Sequence, residues 1–517
     1  MKKSKLFMII SLSVLVITII VSGTYALYKA QLSKNIGVNT TTHGLAYYIN
    51  YVKGTDITAA TLNPSTSYEG GASSDIEFWK KDDSYDIYGK IELTVNTIGT
   101  NLSNSPALKY AVVNNGNVLK EGSLKGTTSG SKVTILKNLY LEQTKQIYTV
   151  YVWLDNSEEL GNISNESLSI SVDCTASLQK EPTAADTIIS LYTSAAKVTA
   201  TNNSITYNTA PSVSLMNDRL GGTTTDLDGG NIRYYGANPN NYIYFNCSDY
   251  SNQTSSTCET WRIIGVFDGK LKLIKGSQIG TYSWDNKNIS TGAEDDRGKN
   301  DWTTARLMKL LNPDDYYIND NNDKDSEGNY LGYSLYYNSA SGMCFTDEGV
   351  NYSACDFTST GIKNDETRNM IAETTYNLGG WNDTGVYPNE IYEYERGTTV
   401  YTGRPTTWTG KIALAYPSDY GYAADLNQCK QTLANYDNST CTSNNWMKAI
   451  ITDNGSNHGW LLTPDSSYSY VAWYSQGNVG EYFTGAARGA VPVLSLSSKL
   501  GIESGDGSSS NPYKLSA

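Results

Sequence analysis

Six of the seven cysteines fall into three close pairs. Cys247 lies near Cys258, Cys344 near Cys355 and Cys429 near Cys441, eleven or twelve residues apart in each case. No pair has the CxxC spacing and the chain holds only two histidines, which argues against a zinc site. The intervening segments are polar. The pairs are therefore expected to form three local disulfides stapling surface loops, in an oxidising, extracellular setting. Cys174 remains single; it is in phase with Ile170 and Val172 on an alternating strand, so it is expected to point into a core.

Other reactive groups are sparse. A nucleophilic cysteine needs a free thiol beside a base, and Cys174 is far in sequence from His458, which sits in the loop-like run Ser456-Asn457-His458-Gly459. No HExxH, GxSxG or P-loop occurs, and His43 stands alone. No catalytic residue is assigned, and an enzyme is not expected. One acidic run, residues 320–329, imitates the start of a calcium loop. Asp323, Asp325 and Glu327 are its candidate ligands, followed by Gly328, but the twelfth position is Ser334, so the bidentate glutamate is missing and a solvated loop competes with calcium binding.

The richest cluster is aromatic. Trp460, Tyr468, Tyr470, Trp473, Tyr474, Tyr482 and Phe483 are interleaved with Ser, Gln, Asn and Gly. Such side chains stack on sugar faces or anchor protein contacts, with the polar residues supplying hydrogen bonds. Trp460 and Trp473 read equally well as core residues, because alternation alone does not say which face is outward. The first six of these residues are the candidate ligand-binding set.

The composition fits an exported surface protein. Tyr (41) far outnumbers Phe (7), and the net charge is −13, which gives no counterion-release affinity for nucleic acid. Residues 1–27 read as a signal peptide or signal anchor: a basic start, an uncharged run from Leu6 to Tyr28, and small residues through Ser22-Gly23-Thr24-Tyr25-Ala26 that suit cleavage after Ala26. Uncleaved, the same run would hold the chain in a membrane.

The elements that must carry these groups are mostly strands. Residues 28–178 alternate as a β-sandwich, clearest in Lys90–Val95, Tyr148–Leu154 and Leu168–Cys174, with turns at Asn114-Asn115-Gly116-Asn117 and Thr128-Ser129-Gly130-Ser131. Residues 179–241 read as a linker with one helix, capped by Thr183 and Asp186 and carrying Ile188, Leu191 and Tyr192 on one face. In residues 242–500, Asp268-Gly269 predicts a hairpin and Asp301 a helix start; a helix is expected over Thr367–Leu378 and strands at Lys411–Tyr416, Gly459–Leu462 and Val491–Leu496. Residues 501–517 read as a C-terminal tail. The fold class expected is mostly β with α+β.

Two resemblances refine these expectations. Ser22–Tyr28 together with Tyr148–Asp155 resembles the TasA/camelysin family of biofilm-matrix fibre proteins, which implies a jelly-roll-like sandwich; proteolysis is not carried over, because no metal-binding motif is present. In the C-terminal part, Trp261-Arg262-Ile263-Ile264-Gly265, Asp301–Asn312, Trp408–Ile412, Tyr416–Tyr422, Trp460–Pro464 and Ser504–Tyr513 are similar to exported Gram-positive surface domains of unassigned function. Their fold looks like the C-type-lectin-like and formylglycine-generating-enzyme-like fold. That family places Arg before the Pro of its final strand; here Val491 precedes Pro492. Two functions follow as expectations: a cell-surface, adhesin-like protein with a sandwich stalk and a lectin-like head for an extracellular glycan or protein ligand, or a self-assembling structural subunit of a matrix fibre. In the second, residues 27–32 would be donated as a strand to a neighbouring subunit.

Overall fold

Alternating apolar residues pay off only when a second surface covers them, and in this chain they do so in two separate units, residues 1–181 and 182–517. The computed structural model describes residues 30–32, 48–58, 62–158, 160–163, 166–219, 230–286, 297–319, 324, 327–346, 352–455 and 457–516. The signal segment, His43, Asp323 and Asp325 lie outside them. Among the described residues no helix is long and apolar enough to cross a membrane.

The N-terminal unit is a sandwich of two sheets. Its strands are β1 (Ala30–Leu32), β2 (Ile49–Val52), β3 (Ile57–Thr58), β4 (Pro64–Ser65), β5 (Ala72–Lys80), β6 (Tyr88–Ile98), β7 (Leu108–Asn114), β8 (Asn117–Ser123), β9 (Lys132–Tyr140), β10 (Ile147–Asp155) and β11 (Leu168–Ser177). One sheet runs β1-β11-β6-β9 with β3 also on β11; the other runs β2-β5-β10-β7-β8 with β4 on β10. Inward residues such as Phe78, Leu93, Val150 and Ile170 form one core, and Cys174 is fully buried among them as an unpaired thiol. The turn at Asn115 and Gly116 has positive φ at both positions, which suits the twist of the β7–β8 hairpin. β1 pairs with β11 of its own chain, Leu32 opposite Cys174, so residues 30–32 already occupy a sheet position that strand donation would require them to leave.

The C-terminal unit is α+β. A nine-stranded sheet contains β12 (Val198–Asn202), β13 (Ile205–Ala210), β14 (Leu215–Asn217), β15 (Ile232–Tyr234), β16 (Tyr242–Phe245), β17 (Glu259–Phe267), β18 (Lys270–Lys275), β24 (Ile412–Ala413) and β29 (Val493–Ser495). Asp268 and Gly269 make the expected tight turn between β17 and β18, both at positive φ. A second sheet, in the order β19-β28-β25-β26-β27, comprises β19 (Thr281–Ser283), β25 (Gly459–Pro464), β26 (Val471–Ser475), β27 (Val479–Phe483) and β28 (Ala487–Gly489). Three two-stranded antiparallel sheets accompany them among the described residues: β20 (Ser341–Phe345) with β21 (Tyr352–Asp356), β22 (Thr374–Asn377) with β23 (Thr407–Gly410), and β30 (Gly501–Ser504) with β31 (Lys514–Ser516).

Several sequence expectations need correction here. Residues 179–241 are not a linker. The unit boundary falls after Glu181, the helix Ala184–Ser194 packs Ile188 and Tyr192 into the main core, and β12 to β15 extend the large sheet. The polar run 199–207 hides a hairpin, because Asn203 and Ser204 accept positive φ while Ala200, Asn202 and Tyr207 turn inward. Residues 501–517 are not a tail: Tyr513 and Leu515 are core residues, and Gln253 both donates to Leu515 and accepts from it. The helix expected over Thr367–Leu378 stops at Met370, and the β-branched Thr374 and Thr375 pair instead with β23.

The three disulfides join Cys247 to Cys258, Cys344 to Cys355 and Cys429 to Cys441, as the spacing predicts. They are not confined to the surface, since five of the six sulfur-bearing residues belong to buried core clusters. They indicate an oxidising environment. A buried ionic knot ties the large sheet to the helix Pro417–Tyr422. Arg233 donates to Asp218 at 2.5 Å and to Asp419 at 2.9 Å, and Lys272 bonds the second oxygen of Asp419. Burial opposes the charge on Asp419, yet Lys272 and Arg233 hold its carboxyl below the ordinary value.

Candidate functional site

The second sheet of the C-terminal unit has core on both faces. Trp460, Leu462 and Ala472 pack into the main cluster, whereas Leu461, Trp473 and Val479 pack into another. Trp460 and Trp473 are fully buried; their indole nitrogens donate to the carbonyls of Tyr282 and Trp381. Both are therefore framework, and the surface part of the aromatic set reduces to Tyr468, Tyr470, Tyr474 and Tyr482, with Phe483 beside them.

Strand register explains why these rings gather. Trp460 lies opposite Tyr474, and Tyr474 lies opposite Gly480, where an added Cβ would come within 3.0 Å of the Tyr474 ring. The glycine lets Tyr474 lie across β27 toward Tyr482, its ring centroid 6.3 Å away in an edge-on contact. Tyr482 stacks on Phe483 at 4.1 Å and is 40% exposed.

Under this group lies Arg488 of β28. Its guanidinium sits 3.9 Å from the Tyr474 centroid, 4.3 Å from Tyr482 and 5.6 Å from Trp460. Its Nη1 approaches Nδ1 of His458 at 2.5 Å, and the His458 ring stacks on Tyr474. Its Nε is buried with no acceptor, and no carboxylate pairs with it among the described residues. Burial lowers its affinity for the proton, the nearby phenols partly offsetting this. His458 is likewise shifted down, first by burial and then by the Arg488 charge, so its ring is neutral at neutral pH and accepts from the guanidinium.

Tyr468 and Tyr470 form a second group, centroids 6.0 Å apart, with the Arg297 guanidinium 3.8 Å from Tyr470. Tyr468 is the more open, at 55%. Its turn is set by Asp465, whose Oδ1 accepts from the backbone of Ser467 and Tyr468. No ring contact joins the two tyrosine groups among the described residues. Beside them Glu481 is pushed up to about 8, first by burial, then by a hydrogen bond with Asp465 and the negative charges of Asp465 and Asp383. A proton held on Glu481 supplies the donor that the buried Asp465 Oδ2 otherwise lacks.

Arg488 and Glu481 escaped the sequence reading. A lone arginine in Ala487-Arg488-Gly489 carries no motif, and only strand pairing brings it under the tyrosines. Of the candidate calcium ligands only Glu327 is described; it is exposed on a turn, and no group of three or more metal-ligating side chains converges among the described residues. The arrangement offers aromatic faces, phenol hydroxyls and one shielded cation. That is equipment for contact and for hydrogen bonding. Compared with protein-family models and with curated proteins, the chain matches none.

Proposed function

We propose that this is an exported binding protein whose C-terminal unit recognises an extracellular glycan or protein ligand through Tyr468, Tyr470, Tyr474 and Tyr482, with the N-terminal sandwich as a stalk. The observation that carries the reading is the exposure of Tyr482 on β27 and of Tyr468 in the turn before β26, beside a sheet with core on both faces, with Arg488 fixed beneath Tyr482. Rigid rings held by packing lose little entropy on binding, which suits them as anchors. The three disulfides support function outside the cytoplasm, and the resemblance to lectin-like surface domains supports the choice of ligand class.

The matrix-fibre reading is the weaker one. Donation of residues 27–32 to a neighbour requires β1 to leave β11, where it pairs across three residues in its own chain. Screening the exported protein against extracellular glycans and matrix proteins, alongside electron microscopy of the same material, separates the two. Ligand retention by monomers supports binding, and regular filaments containing the chain support the fibre.

A further inference from the structure

A cavity of about 500 Å3 opens in the C-terminal unit beside β16, β17 and β18. Its walls include Tyr242, Glu259, Thr260, Arg262, Lys275 and Ser277. Thr260 and Ser277 are exposed at its mouth, whereas Arg262 and Lys275 are each only 7% exposed. The disulfide Cys247–Cys258 closes the loop between β16 and β17 and ends one residue before Glu259, which fixes this wall.

The charges in the cavity do not cancel. Lys275 is bonded to Glu259, and the same carboxylate accepts from the Trp261 indole. Arg262 has no acid. Its Nε donates to Asn241 Oδ1 at 2.5 Å and its Nη2 to the Pro239 carbonyl at 3.3 Å, both neutral acceptors. No protein acceptor meets Nη1 among the described residues. The guanidinium is instead clasped between rings, 3.6 Å from the Tyr242 centroid and 4.9 Å from Trp446. Burial draws Arg262 down to about 10, Tyr242 acting in the opposite direction. Arg233, at similar depth in the same sheet, shows the contrast: two carboxylates answer it. A buried charge left with neutral partners is costly, and an anion entering the cavity would remove that cost.

We propose that this cavity binds a small monoanionic saccharide, its carboxylate received by Arg262. One net positive charge, from Arg262 and Lys275 against Glu259, matches one negative charge. The volume lies within the range of small-ligand pockets. A guanidinium fork presents parallel N–H donors to a carboxylate, and the exposed hydroxyls of Thr260 and Ser277 stand at the mouth for sugar hydroxyls. The site is independent of the tyrosine groups, so loss of binding at one leaves the other testable.

Isothermal titration of the exported protein with D-glucuronate, with methyl glucoside and with inorganic sulfate tests this, using the wild type, Arg262→Gln and Ser277→Trp. Glucuronate is expected to bind at least about tenfold more tightly than the glucoside or sulfate, and to weaken as salt is added. Arg262→Gln should lose that preference with melting temperature held or raised, because it removes an uncompensated buried charge. Ser277→Trp, at an exposed position, should block the mouth without changing stability. Equal binding of glucuronate and glucoside overturns the proposal. Sulfate binding as tightly as glucuronate overturns the saccharide assignment. Unchanged glucuronate binding by Ser277→Trp, with a lowered melting temperature for Arg262→Gln, makes Arg262 a packing residue instead.

Discussion

Arg488 Nη1 meets His458 Nδ1 at 2.5 Å while the guanidinium lies 3.9 Å from the ring centre of Tyr474. The imidazole can accept that bond only when neutral. His458 is therefore held below its ordinary 6.5, by burial first and by Arg488 second. A depressed histidine binds protons better in the unfolded chain, so its contribution is present above 6.5 and is lost as pH falls below it. Melting temperature should decline on acidification through this window, and His458→Gln should remove that part of the decline. An unchanged profile in the variant would sever His458 from the effect.

Glu481 has the opposite sign. Its folded value is raised from 4.5 to about 8, so its contribution is complete below 4.5 and is lost as pH rises through 8. Glu481→Gln keeps a donor toward Asp465 at all pH values. It should raise stability at pH 8 and above relative to the wild type, and the two should converge at acid pH. Thermal melts across pH 4 to 9 read both variants together.

The ionic knot gives a stability prediction. Asp419→Asn leaves Arg233 and Lys272 sharing one fewer buried anion and should cost about 3–5 kcal/mol, read by chemical denaturation. A loss below about 1 kcal/mol, the range of surface ion pairs, would mean that the knot is solvated.

The cysteines give another. Each disulfide closes a loop of roughly a dozen residues and should contribute about 3 kcal/mol in the chain-entropy account. Replacing Cys429 and Cys441 together by Ser should cost more than that, because both sites are buried. Cys174 is fully buried, and burial pushes its thiol well up, so it should resist alkylation until the sandwich unfolds. Rapid alkylation of the native protein would contradict its place in the core.

Local chemistry was readable in advance where neighbouring residues settle it alone. The three disulfides, the inward Cys174, the Asp268-Gly269 turn and the Thr183 capping box with Asp186 all follow from residues no more than twelve positions apart. Long-range pairing was not readable. The hairpin at 198–210 and the strand at 374–377 are short and rich in polar residues; the hairpin pairs locally but Tyr207 is buried against Tyr422 and Leu426, and the strand pairs with β23 beyond the helix Pro388–Glu395. Tyr513 and Leu515 are two apolar residues in a Gly- and Ser-rich run, too few to show a pattern, yet both are core residues, Tyr513 bridging to Ile243 and Leu515 carried by β31. For the aromatic set, type was legible and exposure was not: Trp460 and Trp473 became framework, and Arg488 joined the tyrosines only through β28.

The most direct measurement is an array of extracellular glycans and matrix proteins probed with the wild-type protein and with Tyr482→Ala and Tyr468→Ala. Both substitutions are at exposed rings and should leave the fold intact. The account predicts at least one retained ligand whose binding falls about tenfold or more in one or both variants, the size expected of an interface anchor. A ligand held equally by wild type and both variants, or none held at all, would contradict the tyrosine face as the recognition surface.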